Sequence, residues 1–279
     1  MRFGFKTAPQ HTSWPDMLAV WRAADEIDLF ESGWTFDHFY PIFTPDVTGP
    51  CLEGWVTTTA LAQATTRLRV GVLVTGMPYR HPAVLANMAA ALDIVSNGRL
   101  ELGIGAGWNE VEAAAYGIDL HATLTERFDA FDEGCEAIIG LLTKETTTLS
   151  GRYVQLTEAR CSPKPIQQPH PPICIGGQGE QRTLRSVARY AQHWNYPGGP
   201  VEQFAAKLEV LRGHCDDVGR DVSEITVSTH LRGEIPEIVE QAQRYRDAGL
   251  DLGIVYLQPP HTPAVLGDIA AALEPLTGS

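Results

Sequence analysis

The chain has 279 residues, 44% apolar and 20% charged, enough to bury a sizeable core as one large domain or two small ones and too apolar for a disordered chain. A formal net charge of −13 disfavours broad adhesion to nucleic acid or to an anionic membrane, both of which need clustered positive charge, so a small molecule is the expected partner. The five cysteines are widely spaced without a CxxC pair, which argues against a disulfide framework or a zinc site and fits a cytoplasmic setting. The start MRFGFKTAPQ has no signal-like apolar core, and no segment approaches the roughly 20 apolar residues that span a bilayer.

Residues 2–6 read as a short strand and 15–31 as a helix, with Met17, Leu18, Trp21, Ala24 and Phe30 at roughly helical spacing behind the start signal SWPD. The alternation recurs in WTFDHF with LEGWVTTTALAQATT, in LRVGVLVT with HPAVLANMAAALDIV, and in RLELGIG with NEVEAAAY. A longer excursion covers residues 117–171. It holds a helix over 123–142 with one apolar stripe, a hairpin around Ser150 and Gly151, and the proline-rich connection CSPKPIQQPHPP. PPICIGG with an arginine-bearing helix, AQHWN with VEQFAAKLEVLRGHC, EITVST with EIVEQAQRYRDAG, and LGIVYLQ with PAVLGDIAAALEPL bring the count to eight strand-then-helix units.

Strands too apolar to alternate, each followed by a helix, require a parallel sheet covered on its outer face. The fold expected is a single α/β domain over residues 1–279, a (β/α)8 TIM barrel with a helix-plus-hairpin insertion between strands 4 and 5. A doubly wound open sheet is the alternative, but no GxGxxG follows the first strand. Barrel chemistry sits on the loops after the strands' C-terminal ends. Those positions are Lys6 and Thr7, Asp37 and His38, Thr75 and Gly76, Gly105 to Asn109, Gly176 to Gly179, Trp194 and Asn195, Thr229 and His230, and Gln258. The set has few charges and many small or hydrogen-bonding groups, which suits a large planar organic ligand better than a metal cluster. No metal ligand is assigned, and Lys6 is weakly placed for a Schiff base.

GGQG at 176–179 passes into a helix bearing Arg182, Arg185 and Arg189, a pattern that suits an oxyanion at a helix N-terminus and equally suits a tight turn with solvated arginines. FDHF puts an acid and an imidazole at a strand's end, where they either transfer protons or cap a loop. In GIGAGWNEVE, Gly105 and Gly107 allow close approach of a ligand, while Asn109 serves equally as a helix cap.

Taken together, SGWTFDHF, LRVGVLVTGMPYRHPAVLANMAAALD, SNGRLELGIGAGWNEVEAAAYG, CSPKPIQQPHPPICIGGQGEQRTLRSVARYAQHWN and HCDDVGRDVSEIT resemble the luciferase-like monooxygenase superfamily, in order from about residue 2 to about residue 258. Within it the chain looks most like oxidoreductases that use the deazaflavin coenzyme F420. The resemblance implies a central pocket for the deazaflavin ring, with Asp37 and His38 beside it and Leu73, Val74 and Thr75 backing it through a bulge with a cis peptide. It implies Gly105, Ala106, Gly107, Trp108 and Asn109 at the ring edge or side chain, and Gly176, Gly177, Gln178 and Gly179 at the phosphate, with the polyglutamate tail passing the arginines. Hydride transfer between ring C5 and a substrate carbon is the implied reaction, with His38 as the catalytic proton donor or acceptor, and a homodimer the implied assembly. The pattern departs from the family at Gln192 and His193, which puts one pocket wall in doubt. The alternatives are an FMN-dependent monooxygenase supplied by a separate reductase, and a noncatalytic cofactor-binding barrel.

Overall fold

The computed structural model describes residues 1–278. The first half of the chain forms β1 (Arg2–Thr7), α1 (Trp14–Asp25), β2 (Phe30–Thr35), α2 (Gly54–Ala64), β3 (Arg69–Val72), β4 (Thr75–Gly76), α3 (Pro82–Val95), β5 (Leu100–Gly105) and α4 (Glu110–Tyr116). The insertion follows as α5 (Leu124–Thr143), β6 (Thr147–Ser150) and β7 (Gln155–Ala159). Then come β8 (Ile173–Gly176), α6 (Thr183–Tyr190), β9 (His193–Tyr196), α7 (Val201–Val218), β10 (Thr226–Leu231), α8 (Ile235–Asp247), β11 (Leu252–Leu257) and α9 (Leu266–Leu273).

The main sheet runs β3-β2-β1-β11-β10-β9-β8-β5, and the pairing of β3 with β5 closes it into a ring of eight parallel strands. β4 continues β3 past the Leu73–Val74 peptide, which is cis, and pairs with the end of β5. Closure leaves no exposed edge, and the expected barrel is the fold observed. The insertion also stands where expected: Thr123 caps α5 by accepting from the Glu126 N–H at 3.1 Å, and β6 and β7 form the antiparallel hairpin. Helix α1 is shorter than the spacing predicts. Phe30 belongs to β2, where it pairs with Phe3, and its carbonyl accepts from Arg67 at 2.7 Å, so the chain must leave the helix before it.

Two apolar clusters divide the interior. The larger fills the space between strands and helices, while Trp34, Leu73, Cys174, Leu252 and Ile254 pack from the strands into the barrel. At Gly103 an added Cβ would stand 2.0 Å from the Val72 carbonyl oxygen, which is backbone and cannot swing aside. Gly103→Ala is therefore expected to lower stability by about 3 kcal/mol, the upper end of overpacking costs, read as a fall in the urea midpoint; an unchanged midpoint would refute this packing.

Candidate active site

At the strands' C-terminal ends the barrel opens into a cavity of about 510 Å³. Asp37, His38, Leu73, Val74, Gly105, Ala106, Gly107, Trp108, Gly176, Gly177 and Gln178 line it. Thr75 and Asn109 are buried outside that lining, and Gly179 is exposed just past Gln178. Thr75 Oγ1 accepts from the Trp55 indole at 2.8 Å, Asn109 caps α4 by accepting from the Glu112 N–H, and the Gly179 carbonyl accepts from the Leu184 N–H. Val74 packs into the space left by the missing side chains of Gly105 and Gly176, where a Cβ would approach it to 2.9 and 3.1 Å. Those glycines thus accommodate the turn of chain around Leu73 and Val74.

His38 is not a solitary imidazole. Its Nδ1 lies 2.6 Å from Oε2 of Glu112, a residue on α4 that sequence reasoning passed over. The Phe39 N–H donates to Glu112 Oε1 at 2.6 Å and the Tyr79 hydroxyl donates to Oε2 at 2.5 Å. Burial works against the Glu112 charge, yet the hydrogen bonds from His38, Tyr79 and the Phe39 N–H outweigh it and hold the carboxyl below its usual range. An ionised Glu112 accepts the hydrogen bond that Nδ1–H donates, so the second ring nitrogen is left for the cavity that His38 lines. The rings of Phe36 and Trp108 meet the imidazole edge-on at 5.1 and 5.5 Å and fix its plane.

Asp37 has a different job. It is almost wholly buried, and both its oxygens face the Arg80 guanidinium, with Nη2 at 2.9 Å from Oδ1. Arg80 also bonds Glu53 at 2.7 Å. Burial nevertheless pushes the Asp37 carboxyl up, with the guanidinium only partly offsetting it. The ion pair pins the loop after β2 to the segment before α3 and so holds His38 in place.

On the opposite wall, Gly177 adopts φ +130°, and a Cβ there would meet Thr183 at 3.0 Å. Its N–H is taken by the Asn195 carbonyl, whereas among the described residues the N–H groups of Gln178 and Gly179 have no protein acceptor. The arginines of α6 look away from this loop. Arg182 bonds Asp129 at 2.5 Å, and Arg189 lies within 3.7 Å of Asp132 and 3.5 Å of Glu136, all on α5. The positive corner expected from the sequence is therefore largely neutralised by the insertion helix.

The departure at Gln192 and His193 does not touch the pocket. His193 is buried near the other end of the barrel, 2.9 Å from Glu101 Oε2 and 2.6 Å from the Ser228 hydroxyl, and the Gln192 side chain accepts from the Ile173 N–H. Sequence reasoning also left out Tyr79, Thr183, Arg232 and Tyr256, which line the cavity, and did not carry Lys6 or His230 into the site although both stand at strand ends. Alternation along β11 puts Tyr256 on the same face as Ile254, which packs into the barrel, a signal that could have brought Tyr256 into the site. Among the described residues no helix is long and apolar enough to cross a membrane.

A model of the luciferase-like monooxygenase family matches residues 1–254. An uncharacterized protein of Mycobacterium tuberculosis is 33% identical over 144 residues, which is 51% of this chain and 49% of that relative. An identical match is found in Mycobacterium bovis, so the chain spans about half the length of the curated relatives it matches. Among solved structures, an F420-dependent secondary alcohol dehydrogenase in complex with an F420-acetone adduct superposes with a TM-score of 0.83 at 17% identity, covering 100% of this chain and 99% of that one. The coenzyme F420 dependent tetrahydromethanopterin reductase of Methanopyrus kandleri gives 0.80 at 17% identity, with 98% and 96% covered. The monooxygenase RslO1 of Streptomyces bottropensis gives 0.78 at 20% identity, with 98% and 97% covered. At such identities these likenesses establish the shared fold.

Proposed function

This chain belongs to the luciferase-like monooxygenase family, and on that premise we propose that it is an oxidoreductase that moves a hydride between coenzyme F420 and a small organic substrate. The observation that carries the reading is the His38–Glu112 pair on the cavity wall, a proton-exchanging imidazole fixed by a buried carboxylate. Two solved structures of the same fold are named for F420, which supports this cofactor, while monooxygenases of that fold stand behind the FMN reading.

The residues present fit such a group. A cavity of about 510 Å³ has the size of a cofactor site, and its wall at Leu73, Val74, Gly105 and Gly176 is apolar, with the Val74 side chain seated over the two glycines. Those four residues would hold the ring, and the free N–H groups of Gln178 and Gly179, ahead of α6, would hold the phosphate. When bound, F420 supplies a carbon-centred hydride carrier that disfavours oxygen chemistry. The chain's own part is to orient the reactants, exclude water and exchange a proton at the second ring nitrogen of His38. Glu112 keeps the proton on Nδ1 and compensates the imidazolium charge when it forms.

Titration of the purified protein with F420 and with FMN, followed by ring fluorescence, tests the assignment. F420 is expected to bind at least about tenfold more tightly than FMN. Tighter binding of FMN would move the chain to the monooxygenase reading, and binding of neither would reject both.

A further inference from the structure

Across the ring from the glycine loops, β1, β10 and β11 bring together a basic cluster with no part in the proton chemistry. Lys6 and Tyr256 are register neighbours on β1 and β11. The Lys6 Nζ lies 5.4 Å, the Arg232 guanidinium carbon 4.9 Å and the His230 ring centre 5.7 Å from the centre of the Tyr256 ring. All four residues line the cavity.

What the cluster lacks is a counter-charge. Lys6 Nζ donates only to the Leu73 carbonyl at 2.8 Å, and buried His230 has the Pro197 carbonyl beside it but makes no aligned hydrogen bond and meets no acid among the described residues. Arg232 is tied through its backbone to Gln241, and its guanidinium forms no ion pair among the described residues. The acid on the cavity wall, Asp37, is committed to Arg80. Burial and then Arg232 push Lys6 down to about 7, and burial, Lys6 and Arg232 push His230 well down, so the groups repel one another's charge. A chain with 34 acidic and 21 basic side chains has carboxylates to spare, yet among the described residues none forms an ion pair with Lys6, His230 or Arg232, and Glu237 and Glu240 lie outside the cavity, in an adjoining cleft that His230 and Arg232 also line. Basic groups gathered without an acid on a cavity wall give up part of their charge to burial and to one another, and an incoming anion would restore it, which marks the place as one made for an anion.

We propose that Arg232, Lys6 and His230 form the anion end of the substrate pocket, and that the substrate is an apolar organic acid whose carboxylate docks there. The apolar part is accounted for by Phe43 and Trp108, which line the same cavity and stack at 5.1 Å with their planes 7° apart although both are exposed. A planar carboxylate matches a guanidinium fork, and the aryl platform of Tyr256 holds that fork in place. This inference rests on the oxidoreductase reading for its role, while the anion pocket itself is testable without it.

The test uses calorimetry on the protein saturated with F420, titrated with straight-chain and aromatic monocarboxylates and with the matching primary amides. The acids are expected to bind at least about tenfold more tightly than the amides, and Arg232→Ala to weaken the acids by at least about fivefold, a value reduced for the exposure of the guanidinium. Arg232→Lys should restore part of the loss. F420 affinity in Arg232→Ala should stay within about threefold of the parent. Acids and amides binding alike, or neither binding, would overturn the proposal; so would a loss of F420 affinity in place of acid affinity, which would put the cofactor's own anion at Arg232. If F420 and FMN both fail to bind, the oxidoreductase reading falls, and the same acid and amide titrations on the protein alone still decide the anion pocket.

Discussion

Replacing His38 with alanine is expected to slow single-turnover hydride transfer by about 10²-fold or more, with F420 affinity nearly unchanged. The measurement mixes protein loaded with reduced F420 with any hydride acceptor it turns over and follows the return of ring absorbance. The large effect follows from the geometry. Nδ1 is fixed to Glu112 at 2.6 Å, so the remaining nitrogen is free to take up and return a proton, and a methyl group cannot replace it. Glu112→Gln, which keeps an acceptor for Nδ1 and loses the charge, should fall between the parent and His38→Ala. Near-parental turnover in His38→Ala with intact cofactor binding would remove His38 from the reaction.

The second large effect concerns stability. Glu101 is buried between Arg69, whose Nε donates at 2.7 Å, and His193 at 2.9 Å. Burial opposes the Glu101 charge, but the hydrogen bond and charge of His193, with Arg69, hold the carboxyl down at about 2. Burial likewise opposes the His193 charge, but the Cys174 sulfur and the Glu101 carboxylate raise the imidazole to about 10. Removing one member of such a pair strands the other charges, so Glu101→Gln is expected to cost about 3–5 kcal/mol in urea unfolding. The pH dependence follows from linkage. The Glu101 contribution is complete above the ordinary value of 4.5 and lost as pH falls toward about 2, and that of His193 is complete below 6.5 and lost as pH rises through about 10. The gap between parent and variant should thus be widest between pH 4.5 and 6.5 and shrink on both sides. A gap that is constant with pH would show that the pair does not titrate as described.

Much of the barrel was legible because its strands and helices carry local signals: apolar runs ending at glycine, and caps such as Thr123 ahead of α5. His38 was visible for the same reason, since it stands in the loop just after β2, three residues past Thr35. Glu112 was not, because it stands 74 residues from His38 and occupies the third position of a capped helix, where a glutamate is ordinarily read as a cap. Lys6, His230, Arg232 and Tyr256 meet only because β11 closes against β1, a contact no local pattern announces. The arginines of α6 misled for the opposite reason. Their charges are evident, but Asp129, Asp132 and Glu136 recur three and four residues apart on α5 and form the stripe that receives them.

The latch between α5 and α6 carries a further meaning. Phe128, one residue before Asp129, lies under the Arg182 guanidinium at 5.6 Å and also lines the cavity. One side of the chamber is therefore furnished by an excursion that contributes no strand to the ring. Lengthening, trimming or exchanging that excursion among relatives would retune ligand preference while the cylinder and its His38–Glu112 pair stayed untouched, a route to new specificities through an interchangeable part.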